Sequence, residues 1–358
     1  MINRQFPRNF RDLFDLFRFY RPELGLPALL SDMDLEGLTA TDVYRAVHGR
    51  LPETPEMALA HERMGILQLF EVALRSKEFQ NHLVPRFLAA YPEKRCLSFI
   101  HVPKSAGSDL SAHLITRFPS LRTTIIDPDL TSPADFFSAV KDVVLESALC
   151  EHVYIHGHNR LETYVRWGAA RPGDELFTTV REPVALVVSQ VNYVLTRMAS
   201  TAHPIGPDTA GWRGVFEVDD PGRLENRAEV LRLGSVILRH QGVVPPHNTC
   251  HFLGDGTTGG ALAAMARHNV EVTDLQRYPR WLKERWMVRD TSTRVNASRA
   301  YVTLQDFSPE DRLYIHAITD QDQALHAHVG RRLDATGAAS LRGGDLMDRA
   351  ARPAQTAA

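Results

Sequence analysis

Residues 96–108 read CLSFIHVPKSAGS, and their reading decides the fold. Cys96-Leu97-Ser98-Phe99-Ile100 is short, apolar and bounded by polar clusters, the pattern of a buried strand. Pro103 stops it. Lys104, Ser105, Ala106, Gly107 and Ser108 follow, and after them Leu110, Leu114, Ile115 and Phe118 recur at helical spacing. A strand, a turn of small residues and a helix, with one Lys in the turn, make a cradle for an anion. The first N–H groups of the helix have no partner within it, and small side chains let an oxyanion approach them. The plainer alternative is an ordinary strand–helix connection with a surface Lys. A Walker-type phosphate loop is ruled out by order: G-x-x-x-x-G-K-[ST] puts Lys after the last Gly, whereas Lys104 precedes Gly107.

Downstream, strand and helix patterns alternate. Thr123–Ile126 reads as a second strand. Ser132 and Pro133 open a helix with Phe136, Phe137, Val140, Val143 and Val144 on its buried side. Val153–Ile155 reads as a third strand and Leu176–Val180 as a fourth, with a helix from Pro183. Repeated β–α units predict an α/β fold, a parallel sheet flanked by helices, in which ligands bind beyond the carboxyl ends of the strands. The third strand ends in His156-Gly157-His158. The fourth ends in Arg181-Glu182-Pro183, with Ser189 eight residues after Arg181. Lys, His and Arg thus converge on one edge. An Arg fork with a hydroxyl suits a dianionic phosphate. Paired His suggest either a general base or a metal ligand, but no third ligand stands at a sensible spacing.

The string H-V-P-K-S-A-G-S resembles the 5′-phosphosulfate loop of the sulfotransferases that use 3′-phosphoadenosine 5′-phosphosulfate (PAPS). R-E-P followed by Ser189 is similar to that family's 3′-phosphate motif. His156-Gly157-His158 resembles the H-G-H of the hexuronic-acid 2-O-sulfotransferases. The resemblance implies a P-loop-like nucleotide-binding core and a cofactor site of Lys104, Ser105, Ala106, Gly107, Ser108, Arg181 and Ser189. It also implies His158 as the base, His156 in support and Lys104 on the leaving group, with no metal. Related enzymes use Glu as base, for which Glu151 and Glu162 are the nearby candidates. Arg285, Arg289, Arg294 and Arg299 form a basic stretch, and the resemblance makes Arg294 a cofactor contact in a loop closing over the nucleotide.

Residues 1–93 read as a separate, small all-α domain. Phe10, Leu13, Phe14, Phe17 and Phe19 crowd one segment, and helical patterns cover Thr41–Gly49 and Met57–Ser76. The stretch from Asp42 to Phe79 resembles the helical module "YR..LGR.P......L......S.EF" that accompanies some bacterial polysaccharide-modifying enzymes. The sulfotransferase-like domain is expected over 94–333. Within it 200–245 is broken by Gly and Pro, and an acceptor-binding loop carrying Trp212 is expected there. The last helix is expected from Ser308 to about Leu333, and the Ala- and Gly-rich 334–358 as a disordered tail.

With 41 basic and 43 acidic residues the net charge is -2, which gives no global pull towards nucleic acid or anionic membrane. Cys96, Cys150 and Cys250 show no metal-type spacing and read as thiols of a reducing compartment. Val184–Leu195, the most apolar run, is too short to span a bilayer, and the charged N-terminus lacks a signal-type apolar core, so the expected location is cytoplasmic. Together these readings predict sulfuryl transfer from PAPS to a hydroxyl of a saccharide or glycolipid. The alternatives are a P-loop-like ATP-dependent kinase and a non-catalytic nucleotide-binding scaffold.

Overall fold

The structure, a computed structural model, describes residues 5–21, 23–30, 33, 35–122, 133–199, 215–216, 218, 221–288 and 299–347. Five strands, β1 (Arg95–Ile100), β2 (Ser120–Arg122), β3 (His152–Gly157), β4 (Glu175–Val180) and β5 (Glu271–Asp274), form one sheet in the order β2-β3-β1-β4-β5. Ser120 pairs in parallel with Tyr154, and Phe177 with Glu271. Buried apolar side chains run along β1, β3 and β4, as expected of strands covered on both faces. Three of the expected strands are therefore present. Thr123–Ile126 lies outside the described residues, and β2 ends immediately before it.

The chain divides into two compact units, Met1–Leu97 with Ile115–His156 and Arg166–Asp174, and Ser98–Leu114 with Gly157–Val165 and Glu175–Ala358. The first holds seven N-terminal helices: α1 (Phe10–Phe17), α2 (Gly25–Leu30), α3 (Ala40–His48), α4 (Pro55–Glu62), α5 (Ile66–Arg75), α6 (Lys77–Asn81) and α7 (Leu83–Ala90). Leu13, Phe14 and Phe17 are fully buried, whereas Phe19 falls on the exposed side. Phe14 packs edge-on against Phe87 of α7. Phe17 stacks on Phe137 at 5.4 Å. The Met57–Ser76 pattern is not one helix. Gly65, at φ +86°, separates α4 from α5, since a glycine takes that conformation without steric cost.

The second unit contains the carboxyl ends of β1, β3 and β4. It also contains most of α8 (Gly107–Ile115), then, after α9 (Pro133–Ser147) of the first unit, most of α10 (Leu161–Arg166) and all of α11 (Pro183–Ala199). An apolar cluster in it joins Val191, Val194 and Leu195 of α11 to Leu233 and Ile237 of the helix Arg227–Arg239. That helix corrects the expectation of an irregular 200–245. Asn226 caps it, accepting from the Ala228 N–H, and its apolar face has a core to join. Trp212 lies outside the described residues.

The expected disordered tail is also corrected as far as Met347. The helix beginning at Asp320 runs to Thr336, Leu341 pairs with Val272 of β5, and Gly343–Leu346 adds a helical turn. Ser308 caps a helix as expected, but that helix stops at Ile318. Among the described residues, no helix is long and apolar enough to cross a membrane.

Candidate functional site

The turn after β1 is held in a conformation its residues rarely adopt. Lys104 and Ala106 have φ of +66° and +65°. Left-handed backbone costs a non-glycine residue roughly 1–2 kcal/mol, so the surroundings must enforce it. They do so through Ser105, which is fully buried between the two. Its hydroxyl donates to the Val102 carbonyl at 2.6 Å, and its carbonyl accepts from the Thr179 hydroxyl. Thr178, the neighbour of Thr179 on β4, donates to the Ile100 carbonyl at 2.9 Å. Two successive β4 hydroxyls thus fasten the end of β1 and its turn. The signal for them was the Thr-Thr pair inside an otherwise apolar strand.

Gly107 opens α8. A Cβ there would lie 1.9 Å from Nε2 of His101, so only glycine lets this imidazole cover the helix start. His101 stacks on Phe99 at 5.2 Å and packs against His158 at 4.2 Å between ring centroids. His101 was not singled out in the sequence. Its position directly after a buried strand was the available clue.

Arg181 leaves the end of β4 and donates from Nη1 to the Lys104 carbonyl at 2.9 Å. The two motifs are therefore joined by a direct bond. Glu182, between Arg181 and Pro183, caps α11 with its carboxylate, which accepts the Val184 and Ala185 N–H groups at 3.0 and 2.6 Å. This fixes the helix that carries Ser189, half-buried about two turns along. Tyr193, one turn further, holds its ring 4.3 Å from the Lys104 ammonium.

The electrostatics follow from this crowding. Burial pushes the Lys104 ammonium down to about 8, and the positive charge of Arg181 adds to the shift. His158 stands just beyond β3 with part of its surface open to solvent. Burial and then the Lys104 charge hold its pKa below the ordinary 6.5. At neutral pH His158 is uncharged and can accept a proton.

His156 is placed differently. It is buried in the first unit, with Nε2 2.8 Å from the Ser120 hydroxyl and its ring stacked on Tyr154 at 4.8 Å. Glu151 precedes β3 and pairs with Arg95 at 3.1 Å. Glu162 lies in the first turn of α10. Ser108 is exposed in the first turn of α8, and the residues between Lys104 and Asp109 are all small. Arg294 falls outside the described residues. Arg285, from the same basic stretch, is bound to Glu175 and sits 3.6 Å from Glu271.

Comparison of the chain with protein-family models, with curated proteins and with solved structures finds no match.

Proposed function

We propose that this protein is a PAPS-dependent O-sulfotransferase acting on a hydroxyl of a saccharide or glycolipid. The direct bond between Arg181 and the Lys104 carbonyl carries this reading, because it ties a 3′-phosphate receptor to a 5′-phosphate turn. The co-substrate supplies a sulfuryl group on a phosphate leaving group. The N–H groups from Ser105 to Ser108 and the Ser108 hydroxyl hold its 5′-phosphate. Arg181 and Ser189 hold the 3′-phosphate.

Each remaining residue has one task in the transfer. His158 takes the proton of the acceptor hydroxyl as the new oxygen–sulfur bond forms and the sulfur–oxygen bond to phosphate breaks. His156, bonded to Ser120, supports the strand end that presents His158. Lys104 neutralises the charge that gathers on the departing phosphate oxygen. Such donors, fixed before the reaction, stabilise the transition state more than the ground state. The low pKa of Lys104 is what a cation shows when built to receive an anion beside a second cation.

The test is calorimetry with 3′-phosphoadenosine 5′-phosphate against AMP. The expected result is a preference of at least about tenfold for the bisphosphate, since an Arg hydrogen bond to a charged group contributes roughly 1.5–3 kcal/mol. Equal affinity for the two nucleotides removes the role of Arg181 and Ser189.

A further inference from the structure

Three elements of the second unit decide where the Lys104 ammonium stands. The turn after β1 holds its backbone at φ +66°, and Nη1 of Arg181 bonds its carbonyl at 2.9 Å. The side chain reaches α11, where the ammonium lies 4.3 Å from the ring centroid of Tyr193. At that range a cation is drawn to the electron-rich face of an aromatic ring. The same ring has Cζ of Arg197 at 5.9 Å. Tyr193 is half-buried and stands about one turn after Ser189. The helix that carries it is pinned. Glu182 caps its first turn, and Asn192, next to Tyr193, is buried and bonded to a distant segment. The Asn192 Oδ1 accepts the Tyr301 and Val302 N–H groups at 2.7 and 2.9 Å, and its Nδ2 donates to the Val302 carbonyl at 2.8 Å.

The charges around Lys104 work against its own. Arg181 at the end of β4 repels the ammonium, His158 beyond β3 is repelled by it in turn, and Arg197 is a second cation on the same ring. A lysine on a flexible four-carbon stem can turn away from such neighbours. The Tyr193 face is a contact that favours the charged form. We infer that Tyr193 is a positioning residue whose ring holds the Lys104 ammonium, charged and in place, beside the anion-binding turn before the nucleotide arrives. Holding it there reduces the side-chain freedom lost on binding and keeps the charge that meets the departing phosphate oxygen. The part of Tyr193 in transfer rests on the sulfotransferase reading; the contact between ring and ammonium does not.

Two variants of the full chain separate the ring from its hydroxyl. Tyr193→Phe keeps the aromatic face, and Tyr193→Leu removes it while filling much of the same space. Competitive acetylation from neutral to alkaline pH, read by mass spectrometry on the peptide that carries Lys104, gives the titration midpoint of that amine without any nucleotide. Wild type and Tyr193→Phe are expected to share one midpoint, and Tyr193→Leu to titrate about one pH unit lower. Where the Leu variant does not fold, pentafluorophenylalanine at position 193 keeps the ring's shape, reverses the charge of its face and is expected to give the same shift. Calorimetry with 3′-phosphoadenosine 5′-phosphate should then show Tyr193→Leu binding up to about tenfold more weakly than wild type on the alkaline side, where the amine has lost its proton. A midpoint that does not move when the aromatic face is lost, or that moves equally in Tyr193→Phe, overturns the inference and leaves Tyr193 a packing residue. Tighter nucleotide binding by Tyr193→Leu overturns it as well, because the ring would then compete with the anion. A shifted midpoint in a chain that does not bind the bisphosphate overturns the sulfotransferase reading, and with it the part of Tyr193 in transfer.

Discussion

Two clusters of cations in this molecule are built on opposite principles. In the helical part of the first unit, Glu78 stands at the centre of Arg50, His48 and Arg86. Arg50 grips it bidentately at 2.9 and 2.8 Å, His48 lies at 3.5 Å and Arg86 at 3.7 Å. Burial lowers the pKa of His48 and Arg86, and the charge of Glu78 works against that lowering. In the second unit, burial lowers the pKa of Lys104 and its neighbour Arg181 lowers it further. One cluster carries its counter-charge in its own sequence. In the other, the adjacent Arg181 charge has the same sign as that of Lys104. Perturbed titration is common to both, and the sign of the neighbouring charge distinguishes them.

The largest effect should come from the two histidines that flank Gly157. Replacing His158 by Ala is expected to lower kcat by roughly 10²–10⁴ with nucleotide affinity and melting temperature little changed. His156→Ala is expected to act through stability instead, losing on the order of 2 kcal/mol in a denaturant titration, because it removes a buried ring bonded to Ser120. If the two variants exchanged these behaviours, the base would be His156.

Next comes Lys104, with a loss in kcat of about 10²–10³ for Lys104→Ala and weaker nucleotide binding as well. Its titration gives a sharper signature. Anion binding favours the protonated ammonium, so the affinity for 3′-phosphoadenosine 5′-phosphate should be flat below pH 8. As pH rises above the free-protein pKa of about 8, it should fall by up to about tenfold per unit. The rate should in turn fall on the acid side below pH 6.5, as His158 gains a proton. An affinity independent of pH between 7 and 9.5 would show that Lys104 does not meet the anion.

The cluster around Glu78 should respond only in stability. His48 is held neutral, its pKa lowered to about 4 by burial, so the unfolded chain binds more protons between pH 6.5 and 4. Stability is complete above pH 6.5 and should decline by at most about 3 kcal/mol as pH falls through about 4. His48→Gln should flatten that decline, as read from urea midpoints at pH 7 and pH 5. Gly49→Ala, with φ of +66° and a Cβ 2.6 Å from Phe10, should cost about 1–2 kcal/mol and leave nucleotide binding untouched. A change in nucleotide affinity in either variant would mean that the two clusters are coupled.

The legible part of the site was the part written in contiguous residues. Phe99, Ile100 and the turn after them announce a strand followed by a helix, because local propensity and tertiary packing agree there. The strand ends at His158 and Arg181 were legible for the same reason. β5 was not legible, since Glu271-Val272-Thr273-Asp274 reads as polar. Glu271 is nevertheless buried, because Nε1 of Trp281 and the Ser340 hydroxyl donate to it at 2.7 and 2.6 Å, partners ten and sixty-nine residues away. The helix Arg227–Arg239 was hidden by the Pro and Gly residues before it. The left-handed backbone at Lys104 and Ala106, and the positions of Thr179, His101 and Tyr193 around it, depend on contacts between distant segments that no local pattern encodes.

The most direct measurement is transfer itself. The purified chain is incubated with PAPS labelled in the sulfuryl group and a saccharide extract, and the label is followed into the saccharide fraction. The account predicts incorporation that matches the release of 3′-phosphoadenosine 5′-phosphate and is lost in Lys104→Ala. A protein that binds the nucleotide yet moves no label, or that transfers phosphate from ATP instead, would contradict it.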